Sequence, residues 1–344
     1  MMPVSDTNVP LASASHNHHL LLSLRDNAIA VWLDWLVTVH RPRRLAAVQR
    51  RIRRARANAA ISAGTRHSLA LRADGSIVCW GDNTFDQAPP GGVEGDFVAV
   101  DAGTWHSLAL RADGSVACWG DNDDGKAPPA GVEGNFVAVA AGNGHSLALR
   151  ADGSVACWGS NTFGEAPPTG VEGDFVAVAA GHGHSLAVRA DGSVACWGDN
   201  VNGEAPPAGM EGDFVAVAAG NGYSLAVRAD GSVACWGRND AGQAPPAGVE
   251  GDFVAIAAGY GHSLALRADG SVACWGANHL DQAPPAGVEG DFVAIAAGRE
   301  HSLALRADGS VACWGYNDDG QAPTDAPRLG ELNGTRLMTE IRIL

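Results

Sequence analysis

No apolar run in this 344-residue chain is long enough to cross a bilayer. The best candidate, residues 20–39, is broken by Arg25, Asp26 and Asp34, and its clean part, 28–33, falls far short of the roughly 20 residues a spanning helix needs. No basic start leads into it and no small-residue cleavage site follows, so it is not read as a signal peptide; a cytoplasmic location is favoured. The seven cysteines are odd in number and form no Cys-x-x-Cys pair, which argues against a zinc site. Aromatic residues make up only 6%, and Ala and Val dominate the apolar fraction, a composition suited to short strands and tight turns. Basic residues are scarce where most of the chain lies. Residues 58–344 hold 14 Lys and Arg against 35 Asp and Glu, a balance that repels nucleic acid.

Residues 1–57 have the opposite charge, with nine Arg against Asp6, Asp26 and Asp34. His16, His18 and His19 cluster there without a nearby Cys or carboxylate to complete a metal site, so a disordered start is the plainer reading. After Pro42, residues 43–57 read as a basic helix with Leu45, Val48 and Ile52 on one face. Its arginines, from Arg43 to Arg56, suit a solvated face packed on the acidic remainder, or else contact with an anionic membrane or nucleic acid.

What the chain has in abundance is one 39-residue unit, repeated without slippage. Its Trp recurs at Trp80, Trp119, Trp158, Trp197, Trp236, Trp275 and Trp314. A fixed period of this size means a solenoid or a propeller. The cysteines share one position, directly before each of these Trp residues. Equivalent points on stacked sheets lie about 10 Å apart, too far for a disulfide, whose Cα atoms lie within about 7 Å. Each Cys is therefore read as a small buried hydrophobe.

Each copy resolves into three strands, expected in the second copy at 97–102, 106–111 and 115–119. Gly103 ends the first, and Ala112-Asp113-Gly114 has the chemistry of a three-residue hairpin. If that turn pairs Arg111 with Ser115, Leu108 lies opposite Cys118 and Ser107 opposite Trp119. His106, Leu108, Leu110, Val116 and Cys118 then line one face, and Ser107, Ala109, Ala117 and Trp119 the other. Medium side chains on one face and small ones plus an indole on the other allow consecutive sheets to interdigitate. The Ala-Pro-Pro linkers belong outside the sheets. The expectation is an all-β, seven-bladed propeller of three-stranded blades at 58–323, with a partly helical N-terminal segment at 1–57. The tail, 324–344, alternates apolar and polar residues from Leu337 to Ile343 and is expected either to close the ring as an added strand or to lie along the outside.

The run Ala-Ala-Gly-x-x-His-Ser-Leu-Ala-Leu, then Asp-Gly-Ser-Val and Trp-Gly, as at 257–276, resembles the repeat of the regulator of chromosome condensation family. The resemblance covers 58–323 and implies a seven-bladed propeller. In repeat length the copies look most like the three-stranded blades of a bacterial β-lactamase inhibitor built from this repeat. No insertion between copies resembles the wedge through which the family's nucleotide-exchange factor acts. What the resemblance implies is thus a scaffold, and fold does not fix function.

Comparing the copies with one another separates frame from surface. The Arg-Ala-Asp-Gly-Ser turns hardly vary, whereas the pair before His and the residues after Trp-Gly do. Three strands per copy put both variable stretches on one rim. From the turns between first and second strands that rim receives Arg66, Trp105, His182, Tyr223, Tyr260, Arg299 and Glu300. From the exits after the third strand come Phe85, Asp86, Asp123, Asp124, Lys126, Phe163, Arg238, His279, Asp281, Tyr316 and Asp318. Aromatic and Arg residues on a rigid rim are the types that dominate protein interfaces.

The repeated His, replaced once by Tyr223, is read as structural and not as a ring of ligands or a Cys-His nucleophile, since no copy is special as a catalytic site must be. Asp121-Asn122-Asp123-Asp124-Gly125 is read as a turn, because its Gly falls one place early for a calcium loop and position twelve is Val132. No cofactor or metal is implied. The reading is a non-enzymatic, monomeric module that binds a protein partner through the variable rim, with inhibition of an enzyme as one form of that binding. The alternative is a propeller that binds carbohydrate or another small ligand.

Overall fold

The computed structural model describes residues 60–329. The sequence expectations for 1–57 (the His cluster and the Arg-rich helix) and for a strand near 335–344 lie outside the described residues. Within them are seven three-stranded antiparallel sheets, each with its strands in chain order. Blade 1 comprises Ile61–Ala63, His67–Leu71 and Ile77–Gly81, and blade 2 comprises Phe97–Ala102, His106–Arg111 and Val116–Gly120. Blades 3 to 7 repeat blade 2 at the 39-residue period, ending with Phe292–Ala297, His301–Arg306 and Val311–Gly315. The first strands of all neighbouring sheets adjoin one another, including those of blades 1 and 7, so they surround the axis and the ring is closed.

The register agrees with the turn chemistry. Arg111 N–H donates to Ser115 O at 2.8 Å, Leu108 stands opposite Cys118, and Ser107 opposite Trp119. The third strand begins one residue later than expected, at Val116. Val116 and Val132 exchange backbone hydrogen bonds, which lays the proline linker along the outer strand and partly covers its edge. A register shift between Phe97 and Ala99, repeated in blades 3 to 7, was not legible in the sequence.

Seven apolar clusters form the core, one at each junction. At the junction of blades 2 and 3, Leu108, Leu110, Val116 and Cys118 pack on Ala148, Ala156 and Trp158. The closing junction has the same composition: Leu303, Leu305 and Val311 of blade 7 meet Ala70, Val78 and Trp80 of blade 1. Medium faces thus fill the space left by alanine faces around the whole circle. The cysteines are free, and burial pushes the Cys118 thiol up to about 12, so it is an inert hydrophobe at neutral pH.

Candidate functional site

One polar motif spans each junction. His67 Nε2 lies 3.0 Å from Ser107 Oγ, and Ser107 Oγ donates to Gln87 O at 2.9 Å. Trp119 Nε1 donates to the same carbonyl at 2.9 Å. Since the hydroxyl proton goes to that carbonyl, the imidazole must donate through Nε2, and its buried Nδ1 has no partner. Burial lowers the pKa of His67 to about 4, so the ring is neutral. These His–Ser pairs have the spacing of a base and a nucleophile, yet both members are fully buried and the Ser proton is already committed. They are ties between blades.

The strand order brings the variable stretches together as the topology requires. Asp121 N–H donates to Trp105 O at 2.9 Å, so the exit of blade 2 abuts that blade's own first turn. Most of the predicted rim residues reach solvent: Phe85, Asp123, Asp124, Phe163, His182, Tyr260, His279, Arg299 and Asp318 are exposed, and Arg66, Trp105, Arg238, Glu300 and Tyr316 are half-buried. Tyr223 is a correction. It occupies the His position, is fully buried, and its hydroxyl donates to Gly259 O and His262 O, so it offers nothing to a partner. Lys126, the chain's single lysine, is also buried; Nζ donates to Asp121 Oδ2 at 2.7 Å and to Asp123 O at 3.0 Å. In other blades a Gln or Glu at this position accepts a loop N–H instead, as Gln87 Oε1 does from Phe85 N at 2.8 Å.

Rim side chains pair across junctions. Phe85 and Trp105 have ring centroids 5.6 Å apart at 56°. The Arg299 guanidinium lies 5.1 Å from the Tyr260 ring centroid, whereas Arg238 Nε holds Asp240 of its own loop at 2.7 Å. Arg66 Nε is 3.7 Å from Asp319, and His279 Nε2 is 3.8 Å from Glu300. His182 lies 3.4 Å from Asn143.

A polar pair near the axis escaped the sequence reading. Asp101 stands where five other blades have Ala and blade 1 has Ser62. Its carboxylate accepts from Ser62 Oγ and from Ala141 N–H, both at 2.7 Å, joining blades 1, 2 and 3. Burial holds its carboxyl above the usual range. The signal was available, since Asp101 is an acid in a position otherwise filled by small residues.

The family model described as "Regulator of chromosome condensation (RCC1) repeat" matches seven times, at residues 59–87, 97–126, 136–165, 175–204, 214–243, 253–282 and 292–321. The chain belongs to the RCC1-repeat family. These matches coincide with the seven blades. No curated protein matches the sequence. Among solved structures, this RCC1-repeat chain is similar to Prp20p from Saccharomyces cerevisiae, with 19% identity, 75% of this chain and 82% of that one covered, and a TM-score of 0.59. It is also similar to the ectodomain of the Arabidopsis thaliana receptor kinase ACR4, at 23% identity, 74% and 96% coverage, and a TM-score of 0.60. Human WBSCR16 gives 22%, 72% and 86%, and 0.61. At these identities the likeness establishes the fold alone.

Two grooves, of about 270 and 420 Å3, lie on the outer wall beside Trp119 and Trp275 and are lined by equivalent repeat residues such as Phe97 and Arg111, or Phe253 and Arg267. Of the variable rim residues, Asp86 lines the first groove and none lines the second.

Proposed function

We propose that the protein is a non-enzymatic binding module that holds a protein partner on its variable rim. The observation that carries this reading is that variable side chains from both stretches meet there, with Trp105, Tyr260 and Tyr316 offered to solvent on rigid sheets. Prp20p, which shares the fold, has binding properties toward Gsp1p and histones; those partners belong to that protein. Against catalysis stands the sealed state of every His–Ser pair. A small-ligand role has less support, because apart from Asp86 these two grooves are lined by residues that the repeats share.

Inhibition of an enzyme and a monomeric state are parts of this proposal. The test is affinity capture with the full chain and with Trp105→Ala/Tyr260→Ala, each verified to melt like wild type. A protein retained by wild type and lost from the rim variant supports the reading. Equal retention by both moves the site to the opposite rim or the outer wall.

A further inference from the structure

The seven turns between first and second strands are not alike, and their differences are ordered around the ring. In blades 3 to 6 the second turn residue is Gly144, Gly183, Gly222 or Gly261, whereas in blades 7, 1 and 2 it is Glu300, Arg66 or Trp105. Those three blades are consecutive once the ring is closed. Each of the three side chains meets the exit loop of the preceding blade: Glu300 with His279 at 3.8 Å, Arg66 with Asp319 at 3.7 Å, and Trp105 with Phe85 at 5.6 Å between centroids.

The glycine sector is built differently. A Cβ on Gly183 would come within 3.2 Å of the Phe163 ring, and one on Gly222 within 2.8 Å of the Asn202 amide. At Gly183 and Gly222 the exit loop of the preceding blade closes over the turn, and in all four blades only the first turn residue, such as His182 or Tyr260, carries a side chain. The rim therefore carries one raised sector, three blades wide, where the residue before the buried His has a side chain, and one bare sector, where that residue is glycine.

The raised sector combines aromatic rings with an excess of carboxylates. Asp82 and Asp86 share an exit loop with Phe85, and Asp318 and Asp319 share one with Tyr316. Of the arginines in its turns, Arg66 is turned toward Asp319 and Arg299 lies over the Tyr260 ring, and carboxylates still outnumber them. The surrounding chain has the same sign, with 35 acidic against 14 basic residues over 58–344. An acidic field of this kind speeds the approach of cationic partners and opposes anionic ones. At contact, an indole flanked by carboxylates suits a guanidinium or ammonium group, through the ring quadrupole and charge pairing together.

Resting on the rim-docking reading above, we propose that the raised sector of blades 7, 1 and 2 is the docking surface and that its partner is a protein segment rich in arginine or lysine. One cationic side chain of that segment packs on Trp105, and its neighbours pair with the carboxylates of the two flanking exit loops. The bare sector contributes little beyond Tyr260, which borders blade 7 and has the Arg299 guanidinium over its ring.

The experiment selects binders from a phage library of short random peptides on the immobilised full chain, then titrates the synthetic winners by tryptophan fluorescence. The expected winners are basic and bind less tightly as salt rises. Trp105→Ala weakens them about tenfold or more, while Asp113→Asn/Asp152→Asn on the opposite rim leaves them unchanged. Acidic or uncharged winners that still depend on Trp105 overturn the proposed chemistry and leave rim docking standing. Basic winners indifferent to Trp105→Ala, or a selection without winners, overturn the surface itself; indifference also counts against rim docking.

Discussion

The Tyr223 hydroxyl donates to the carbonyl oxygen of His262 at 2.6 Å, tying blade 5 to blade 6 without an imidazole. The six other junctions are tied by His67, His106, His145, His184, His262 and His301, all fully buried. Tyr223 therefore shows that the tie can be made by a group that does not titrate between neutral and acid pH; burial pushes its pKa further up.

The histidine ties make the ring acid-labile. Burial lowers His106 and His301 to about 3, with Lys126 and neighbouring imidazoles adding to the effect at His106, and lowers the other four to about 4. Nearby carboxylates, Asp82 for His67, Asp121 for His106 and Asp199 for His184, oppose this only in part. The unfolded chain takes up protons near pH 6.5 and the folded ring does not, so stability is complete above that pH and falls as pH drops toward 4. One group contributes about 1.4 kcal/mol per pH unit, so six contribute about 8 kcal/mol per pH unit, comparable with the whole stability of a domain. Circular dichroism should show cooperative unfolding between about pH 5.5 and 4. His184→Tyr, copying Tyr223, should reduce the pH slope by about one proton; an unfolding midpoint below pH 3.5 would contradict the argument.

Trp197 supports its junction through both packing and a hydrogen bond. Its indole N–H donates to Glu165 O at 2.9 Å, its ring is tilted against Phe175 at 6.5 Å, and it packs with Leu147, Leu149 and Val155. Because the indole is only half-buried, Trp197→Ala should cost roughly 3 kcal/mol, the low end for aromatic truncations in cores. A urea midpoint unchanged from wild type would show that the neighbouring blade closes the gap.

Much of this frame was legible because each repeat states it in local terms. Asp113-Gly114 sets the hairpin, the hairpin sets the register, and the register puts Leu108 and Trp119 on opposite faces. The unslipped spacing of Trp80 to Trp314 then requires every junction to be alike. What stayed hidden depends on the neighbouring blade. Tyr223 reads as a variable surface residue until the His position is seen to point into the junction, and Lys126 reads as a surface cation until Asp121 is seen to receive it. The rim was predicted as a ring of candidates, but its division into raised and bare sectors needs the closure of blade 7 on blade 1.

Asp86 and Asp281 occupy a left-handed position, φ 61° and 60°, where five other copies have Gly125, Gly164, Gly203, Gly242 or Gly320. An L-residue is disfavoured there, although Asp is among the better tolerated. Part of the gain from glycine is offset by the greater freedom it gives the unfolded chain. Asp86→Gly/Asp281→Gly should raise stability by about 0.5 kcal/mol per site, measured by urea unfolding. Lower stability in the double variant would mean that these carboxylates make contacts worth more than the backbone strain.

Ring closure depends on the last repeat's linker. Gln321 O accepts from Ser68 Oγ at 2.9 Å and from Trp80 Nε1 at 3.0 Å, while His301 Nε2 lies 3.0 Å from the same Ser68 hydroxyl. Gln321 Oε1 accepts from Asp319 N at 3.0 Å, and Leu329 is buried in the closing core with Ile61 and Leu305. A chain ending at Gly320 loses the carbonyl that two blade 1 donors, Ser68 and Trp80, share. Three hydrogen bonds at about 1 kcal/mol each and one buried Leu at about 2 together approach 5 kcal/mol, enough to open a ring of ordinary stability. A chain ending at Leu329 keeps these contacts. Amide exchange should therefore be fast throughout blades 1 and 7 in the shorter chain and slow in the longer one; equal protection in the two would show that the first and last blades hold together without Gln321.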